Sequence, residues 1–527
     1  MSDSAHGDAS SSSRPASQPS HASHPSHPLV AGVDTSTSAT KVVVVDAVTG
    51  ETLRFGSAPH PEGTSVDPAA WWRAFLAAAR LAGGLDDVSA ISVGGQQQGM
   101  VLLGVDGRPV RRAILWSDVR SAPQAQELTR MLGALDFADA AELGAVEPGD
   151  IESDDVIARG RLRWLKAVGS ALVPSLIITK LRWVLEHESD NARRTAAVCL
   201  PHDWLSWRIA GNDPDAGRFD LHALFTDRSE AAGTGYFDTT ANVYRARLLD
   251  MGFGRHDVIL PRVRGPREWT LKADPAIAGS KVEGGCLIGP GGGDNAIAAL
   301  GLDMGVGDVS VSVGTSGVVA AVAERRACDP SGCTNGFADA TGRFLPALGM
   351  FNSSRVLDAG RELLNVDYAA FDELALAARP GAGGVTLIPY FEGERVPPRP
   401  DDTARLLGLT LANAHRENIA RAFVEGLLCN LNDSLRLIAS LGVPVERVLL
   451  IGGGSRSEAV RNIAPEVFGL DVALPEPGEY VALGAARQAA WVLSGDDRPP
   501  RWAVPVERTL KAESHPEIFR RYERLRG

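Results

Sequence analysis

A single carboxylate, Asp294, ends the glycine-rich stretch Gly289–Gly293 and precedes Ala and Leu residues that predict a helix. Phosphoryl transfer to an alcohol needs a positioned carboxylate that accepts the hydroxyl proton as the new bond forms. Aspartate is also a preferred residue at helix N-termini, so Asp294 could simply cap a helix over Asn295–Leu302. This stretch alone does not decide between a catalytic base and a cap.

Two polar turns could bind the phosphates of a nucleotide. The first, within Thr35–Thr40, follows an apolar run that ends in Asp34, and the second is Gly314–Gly317. Backbone amides and hydroxyls in such turns donate hydrogen bonds to phosphate, and glycine lets an anion approach the backbone closely. A carboxylate at Asp34 could hold Mg²⁺ through water, because Mg²⁺ keeps several of its waters. Each turn could be an ordinary β-turn, but one in each half of the chain favours a cleft between them.

An aromatic residue, a carboxylate and a guanidinium come together in the segment Trp116–Arg120. Sugars and polyols are bound in this way, with hydroxyls held by charged groups and C–H faces laid on a ring. Trp116 and Asp118 are therefore candidate sugar contacts. The alternative is that Ser117 caps a helix and Trp116 lies in the core.

The glycine loop Gly452–Gly454 follows the apolar run Val448–Ile451 and precedes a predicted helix near Ser457. The order strand, glycine loop, helix suits a nucleotide, because helix N-termini and glycine-rich backbone favour phosphate.

A sheet is needed to position these residues. Apolar runs on both sides of the first turn predict a β-hairpin, Asp67-Pro68-Ala69 predicts the start of a helix, and Ser89–Val93 predicts another strand. An RNase H-like sheet begins with three strands, which are followed along the chain by a helix and a fourth strand. The runs Val309–Val313 and Val318–Val322 repeat the hairpin around the second turn. We therefore expect an α/β fold with two RNase H-like domains, of the actin and hexokinase ATPase type, around a cleft.

The composition excludes several classes of partner. Hydrophobic residues make up 44% and charged residues 22% of the chain, and the net charge of −12 argues against nucleic acid or an anionic membrane. Residues 1–28 are mostly Ser, His, Pro and Ala, which predicts a disordered tail rather than a secretory signal. The sequence contains no apolar run of about 18 residues, the length that would predict a membrane span. Five scattered cysteines predict free thiols in a reducing compartment, the cytoplasm.

Together these segments resemble the FGGY family of carbohydrate kinases, and within it the xylulokinases. The resemblance extends over residues 29–492. The motifs that carry it, in the family's order, are Gly32–Lys41, Trp71-Trp72, Gly95–Gly99, Ile114–Arg120, Lys180–Trp183, Thr226–Thr234, Gly291–Ala296, Ser312–Gly317, Pro389–Pro397, Gly452–Glu458 and Ala482–Ala486.

The resemblance implies ATP-dependent phosphorylation of a ketopentose, D-xylulose to D-xylulose 5-phosphate, with Mg²⁺ as the metal ion. It implies that Asp294 is the catalytic base and that Asp34 lies beside the metal and the phosphates. The expected sugar contacts are Gln97, Gln98, Trp116, Asp118 and Asp294. The expected nucleotide contacts are Thr37, Ser38 and Lys41 in the first turn, Gly314, Thr315 and Ser316 in the second, and Gly452, Gly453, Gly454 and Ser457 in the glycine loop.

The domain organisation follows from the same segments. After the tail, we expect a sugar-binding domain over residues 29–297, an ATP-binding domain over 298–495 and a C-terminal extension over 496–527. The expected partners are a small sugar and ATP, without nucleic acid or membrane, and a homodimer is compatible with the sequence.

Two features depart from the family pattern. Xylulokinases usually carry His at the position of Gln98, in a Gly-Gln-x-His-Gly motif, whereas this chain has Gln there. Glutamine forms hydrogen bonds but carries no charge near neutral pH, which leaves open another substrate such as ribulose, a different ketose or a polyol. The segment 134–172 is also longer than the family pattern. A catalytically idle sugar-binding regulator remains an alternative, although intact Asp34 and Asp294 disfavour it.

Overall fold

The computed structural model describes residues 27–150, 152–269 and 271–527. The predicted disordered tail lies, up to residue 26, outside these ranges. None of the helices within them is long and apolar enough to cross a membrane.

The first half of the chain contains mostly short strands and helices. Its strands are β1 Leu29–Thr35, β2 Ala39–Asp46, β3 Thr52–Pro59, β4 Ser65–Val66, β5 Val88–Gly95, β6 Val101–Leu103, β7 Ala113–Ile114, β8 Ala197–Cys199, β9 Phe225–Asp227, β10 Phe237–Asp238, β11 Val243–Tyr244, β12 Arg262–Arg264, β13 Leu271–Lys272, β14 Leu287–Ile288 and β15 Gly292–Gly293. Its helices are α1 Pro68–Leu81, α2 Ala122–Ala134, α3 Phe137–Glu142, α4 Val156–Val168, α5 Ile177–His187, α6 Ser189–Arg194, α7 Pro201–Ile209, α8 Arg228–Ala231, α9 Ala246–Phe253 and α10 Asp294–Gly301.

The second half contains longer helices. Its strands are β16 Gly307–Val313, β17 Gly317–Ala321, β18 Asn335–Ala338, β19 Phe344–Met350, β20 Thr386–Ile388, β21 Arg405–Leu407, β22 Val445–Ile451, β23 Asp471–Pro475 and β24 Val506–Leu510. Its helices are α11 Ser354–Leu364, α12 Tyr368–Ala377, α13 Arg416–Ser440, α14 Glu458–Phe468, α15 Tyr480–Ser494 and α16 Pro516–Arg526.

The first sheet has seven strands among the described residues, in the order β13-β14-β5-β1-β2-β3 with β15 also paired to β5. β1 is antiparallel to β2 and parallel to β5, and every residue of β1 is buried, as expected for a central strand covered on both faces. The Asp67 side chain caps α1 by accepting a hydrogen bond from the Ala69 amide (3.0 Å). The predicted order of strands and helix is confirmed, with the two-residue strand β4 added before α1.

The second sheet repeats this plan. Among the described residues its seven strands follow the order β18-β19-β17-β16-β22-β23-β24, so the antiparallel hairpin β16–β17 again lies beside a parallel strand, β22. The predicted fold of two similar α/β halves is therefore confirmed. The exact domain limits remain a prediction.

Two helices, α10 and α15, pack against both sheets. α15 contributes Ala482 and Ala486 to a buried cluster with Val30 and Val43 of the first sheet. On its other side Ala485 belongs to a cluster that includes residues of the second sheet. This layer is therefore shared by the two halves of the chain.

Glycines allow this layer to pack closely. A Cβ atom at Gly32 of β1 would lie 1.9 Å from the Ala482 carbonyl oxygen of α15. A Cβ atom at Gly484 would lie 1.9 Å from the Ile297 carbonyl oxygen of α10. Any larger residue at either position would separate the helices from each other or from the sheet.

The long segment 134–172 forms α3 and α4 and reaches the second half of the chain. At the end of α4, the Lys166 carbonyl accepts a hydrogen bond from Arg326 (2.8 Å), and the Gly169 carbonyl accepts one from the Gly336 amide (3.1 Å). Arg326 also pairs with Asp238 of the first half (3.1 Å). The segment thus contributes a contact between the two halves.

Candidate functional site

Three segments that carry predicted site residues end side by side at one edge of the first sheet. Asp34 of β1 is opposite Gly94 of β5, and Gly94 is in turn opposite Gly292 of β15. Gln97 comes two residues after β5, and Asp294 comes directly after β15. Because neighbouring strands lie about 4.8 Å apart, this register brings Asp34, Gln97 and Asp294 into one region.

Asp34 is a buried carboxylate with an unusual environment. Its Oδ2 atom lies 3.9 Å from the Lys41 ammonium, which also pairs with Glu479 at the start of α15. Its Oδ1 atom is buried and has no hydrogen-bond partner among the described residues. Burial raises the pKa of Asp34 to about 7, with further contributions from Asp294 and Glu479 and opposition from Lys41. A nearby cation would satisfy this carboxylate, so Asp34 fits a contact with Mg²⁺ or its waters.

Asp294 is the first residue of α10, and Gly293 occupies the N-cap position before it. The interpretation of Asp294 as the N-cap is therefore wrong, and the helix begins one residue earlier than the interpretation assumes. Its Oδ1 atom accepts hydrogen bonds from the amide (2.8 Å) and the side chain (2.9 Å) of Asn295, while Oδ2 accepts none within the described residues. Burial raises the pKa of Asp294 to about 6, opposed by the bonds from Asn295. A carboxylate of this kind suits general base catalysis near neutral pH.

Gln97 is connected to Asp294 through one side chain. Asn295 Nδ2 donates a hydrogen bond to Gln97 Oε1 (2.9 Å) as well as to Asp294. Gln97 is buried, and its Nε2 atom also donates a hydrogen bond to the Ser229 carbonyl (3.5 Å), so these two contacts orient its amide. The predicted sugar contact and the predicted base therefore form one hydrogen-bonded group.

Gln98 has a backbone conformation that residues other than glycine rarely adopt, with φ at 63°. Its carbonyl accepts a hydrogen bond from Lys180 Nζ (2.5 Å), and this lysine is fully buried. Burial lowers the pKa of Lys180 to about 7, opposed by Asp118 and Glu230. The buried ammonium group thus holds the backbone of Gln98 in place.

Trp116 lies at the surface, 46% exposed. Its indole N–H donates a hydrogen bond to the Thr37 hydroxyl (3.0 Å), which connects the predicted sugar site with the first turn. The alternative with Ser117 as a cap and Trp116 in the core is wrong, because α2 begins only at Ala122 and Trp116 is exposed.

Asp118 is buried and strongly hydrogen-bonded. It accepts two bonds from the Arg120 guanidinium (2.8 Å each) and one from the Thr64 hydroxyl (2.8 Å). Burial by itself would raise the pKa of Asp118, but these bonds lower it to about 2. Asp118 is therefore an anion that is fixed by Arg120, and Arg120 in turn lies over the Trp183 ring, 4.9 Å from its centre.

The two predicted phosphate turns have the same length. β1 extends through Thr35 and β2 begins at Ala39, so the first turn is 36–38, shorter than the predicted 35–40. The second turn is 314–316, between the paired residues Val313 and Gly317. The exposed residues of the two turns are Thr37, Ser38, Thr315 and Ser316.

The glycine loop lies beside the second turn. β22 runs parallel to β16 with Ile451 opposite Ser312, so Gly452–Gly454 follow the strand next to the turn. A Cβ atom at Gly454 would lie 2.5 Å from Val313 Cγ1, so a larger residue would fit there only if Val313 shifted. Both elements expose backbone at the carboxyl edge of parallel strands, where nucleotides bind in open α/β sheets.

Ser457 has a clear structural role. Its hydroxyl accepts a hydrogen bond from the Val460 amide (3.1 Å), which caps α14, and donates one to Asp372 (2.6 Å). A contact between Ser457 and a nucleotide remains a prediction.

Sequence models of the FGGY family of carbohydrate kinases match both halves of the chain. The N-terminal domain of the family matches residues 29–145 and 161–301, and the C-terminal domain matches residues 309–493. The chain belongs to the FGGY carbohydrate kinases. The predicted family is thus confirmed, and the protein is a phosphotransferase that acts on a sugar. Residues 146–160 lie between the two matched ranges of the N-terminal domain and inside the long segment 134–172.

Similar proteins of this family include enzymes named xylulose kinase. The one from Streptomyces rubiginosus is 37% identical over 501 residues, which are 93% of this chain and 94% of the relative. The crystal structure of xylulose kinase from Bifidobacterium adolescentis is 54% identical, with a TM-score of 0.89 over 95% of this chain and 100% of that chain. Plasmodium falciparum glycerol kinase with ADP, 15% identical over 95% of this chain and 96% of that chain with a TM-score of 0.73, shows the fold alone.

Three residues of this FGGY kinase contact the predicted site without being identified from the sequence as site residues. Asn295 is adjacent to Asp294 and could have been noticed there. Lys180 is a charged residue within an apolar stretch of α5, a pattern that indicates a buried functional group. Glu479 pairs with Lys41, which lies 438 positions away in the sequence, and no local sequence pattern predicts that contact.

Proposed function

We propose that this FGGY kinase transfers the γ-phosphoryl group of ATP to the terminal hydroxyl of D-xylulose in its acyclic form, giving D-xylulose 5-phosphate. The observation that carries the proposal is Asp294, which has one oxygen fixed by Asn295 and the other without a hydrogen bond from any residue that the structure describes. It lies in one hydrogen-bonded group with Gln97 and near Asp34. The relatives named xylulose kinase, at 37% and 54% identity, support the choice of sugar.

In the proposed reaction, Asp294 Oδ2 accepts the proton of the terminal hydroxyl. The hydroxyl oxygen forms a bond to the γ-phosphorus while the bond from the γ-phosphorus to the bridging oxygen breaks, and ADP leaves with the electron pair. The raised pKa of Asp294, about 6, gives a base that is ionised at neutral pH and stronger than an ordinary carboxylate. Asn295 keeps Oδ1 occupied, so Oδ2 is the atom that faces the substrate.

Asp34 is the residue proposed to hold Mg²⁺, because its Oδ1 atom is buried without a partner among the described residues. When bound, Mg²⁺ offsets the negative charge on the phosphates. The described residues contain no cluster of three or more His, Cys, Asp or Glu side chains that could hold a metal ion. A single carboxylate suits Mg²⁺, which is usually held by phosphates and water with one or two carboxylates.

The remaining predicted residues are assigned to binding. The exposed turns 36–38 and 314–316 would donate hydrogen bonds to the phosphates, and Gly452–Gly454 would lie against the adenosine. Trp116 would present its ring to the sugar from the rim of the first turn. Closure around both substrates would exclude water, which would otherwise compete as the phosphoryl acceptor.

Gln98 favours a second candidate within the same chemistry. Its side chain replaces the histidine usual in xylulokinases, so ribulose or another ketose is the alternative acceptor. A buried amide and an imidazole present different donors and acceptors to the same hydroxyl.

Two experiments test the proposal. Asp294→Ala should retain ATP binding but lose sugar phosphorylation by roughly 10²–10⁴-fold, the usual contribution of a general base. Near-normal turnover would reject Asp294 as the base. A coupled ADP-release assay over pentuloses, hexuloses, glycerol and aldonates should give the highest kcat/KM with D-xylulose. A higher value with another sugar would replace D-xylulose but keep the kinase mechanism, and ligand binding without any ADP release would indicate an idle binding protein.

A further inference from the structure

Gln488 is a fully buried residue of α15 whose side-chain amide forms three hydrogen bonds. Its Oε1 atom accepts hydrogen bonds from the Ser92 hydroxyl and from the Gly291 amide (2.9 Å), and its Nε2 atom donates one to the Gly291 carbonyl (2.9 Å). Gly291 lies three positions before Asp294. Both backbone polar groups of Gly291 are therefore held by one side chain.

The loop that leads to Asp294 needs such support. Gly291 has φ at 78°, and a Cβ atom there would lie 2.4 Å from His202 Cδ2. Consecutive glycines give the backbone little stiffness of their own, so contacts with other residues must define its path. His202 contacts the Pro290 carbonyl (3.3 Å), Ser229 accepts a hydrogen bond from the Gly293 amide (2.9 Å), and Gln488 holds Gly291.

Gln488 differs from the other two supports in its origin. His202 and Ser229 belong to the first half of the chain, whereas Gln488 belongs to α15, the helix that packs on both sheets. At its other end the same helix begins next to Glu479, which pairs with Lys41 beside Asp34. One helix thus contacts both the surroundings of Asp34 and the loop of Asp294.

We infer that Gln488 is a positioning residue, which acts on the reaction by fixing the Gly291 backbone and so the placement of the Asp294 carboxylate. The inference rests on the proposed role of Asp294 as the base. Within the described parts of the chain, the Gln488 side chain forms hydrogen bonds only with Ser92 and Gly291, which are not predicted sugar or nucleotide contacts, so it should affect the chemical step more than substrate binding. A misplacement of the base of about 1 Å is sufficient to lower a rate roughly 10²-fold.

The test replaces the amide by a side chain of the same length without strong hydrogen bonds, Gln488→Met. We expect kcat with the preferred sugar to fall about 10- to 100-fold, with KM for the sugar and for MgATP changed less than about twofold. Hydrogen exchange of the segment 286–300 should become faster, because the Gly291 amide loses its partner. Should Gln488→Met fail to fold, Gln488→Asn serves instead, since its shorter amide cannot reach both polar groups of Gly291.

Arg487→Met is the matched control. Arg487 is the neighbouring residue of the same helix, is equally buried, and bonds the Leu300 carbonyl (2.8 Å) and Asp303 (2.7 Å) near the opposite end of α10. It should lower Tm but leave kcat within about twofold of the original protein. If both variants lose kcat in proportion to their loss of Tm, Gln488 has only a structural role and the inference is overturned.

A double-mutant cycle separates this inference from the proposed function. If Gln488 acts through Asp294, Gln488→Met should cause no further loss in an Asp294→Ala background. An inactive Asp294→Ala protein together with a fully active, folded Gln488→Met protein overturns the inference alone. A fully active Asp294→Ala protein overturns the role of Asp294 and the inference with it.

Discussion

Asp294→Asn should make the folded protein more stable while it abolishes turnover. Burial raises the pKa of Asp294, which means that the ionised carboxylate is less stable in the folded protein than in water. Asparagine keeps an oxygen that can accept the two hydrogen bonds from Asn295 but carries no charge. The substitution should therefore remove the electrostatic cost without loss of these contacts.

The gain in the free energy of unfolding that Asp294→Asn should give follows from the pKa of Asp294. Burial raises it from 3.8 to about 6, a difference of about 2 units, which corresponds to at most about 3 kcal/mol. Because Asp294 is only half-buried, water will reduce this cost, and we expect about 1–2 kcal/mol. For domains of this size such a gain raises Tm by about 2–8 °C.

The sign of the pH dependence is fixed by the direction of the pKa change. Below pH 3.8 the group is protonated in both the folded and unfolded states, so it costs nothing. As the pH rises towards 6, only the unfolded state releases the proton, and the folded state of the original protein loses stability. The advantage of Asp294→Asn should therefore be about one third as large at about pH 4.5 as at about pH 8, where it is complete.

Differential scanning calorimetry of the two proteins at both pH values measures this advantage. Asp401→Asn, which removes one carboxylate from an exposed position, is the control and should leave Tm unchanged within about 1 °C. An Asp294→Asn protein with the same Tm as the original at pH 8 would refute the argument that the site destabilises the charge. So would an advantage of equal size at both pH values.

Three further changes probe other parts of the site. Asp34→Asn removes the charge that is proposed to bind Mg²⁺. The Mg²⁺ concentration at half-maximal rate should rise about tenfold, since one hydrogen-bonded charge is worth about 1.5–3 kcal/mol. An unchanged Mg²⁺ titration would contradict this role. Gln98→His should change the ratio of kcat/KM between D-xylulose and ribulose by about tenfold or more, and a constant ratio would make Gln98 a neutral variant. Gly454→Ala places a methyl group 2.5 Å from Val313 and should raise KM for ATP about tenfold, with KM for the sugar as the internal control. An equal rise in both KM values would place the disturbance outside the nucleotide site.

Local patterns in the sequence were sufficient for the elements that lie next to the site. Asp67 and Pro68 mark the start of α1 because an N-cap and a proline at the first turn are local requirements, and apolar runs on both sides of a polar turn mark the hairpins. The glycine run before Asp294 likewise indicates a tight approach of backbone segments. These features depend on neighbours along the sequence, so the sequence alone can report them.

Contacts between distant residues could not be predicted in this way. Gln488 bonds Gly291 across 197 positions, and its sequence surroundings are those of any Ala-rich buried helix. The choice between base and cap for Asp294 also depended on the backbone, because one residue of shift in the helix start moves the N-cap to Gly293. Such details are set by packing between α10, α15 and the first sheet, which no local pattern encodes.

The position of α15 has a consequence for how the protein is made. Val30, Val43, Val45 and Ala90 of the first sheet are buried largely by alanines of this helix. Between Gly95, at the end of β5, and Tyr480 a ribosome adds roughly 385 residues, which takes about 20–80 s at about 5–20 residues per second. Throughout that time one apolar face of the first sheet lacks its natural cover. The nascent first half is therefore exposed to aggregation until the last tenth of the protein emerges, and its folding must wait for that helix or depend on a chaperone.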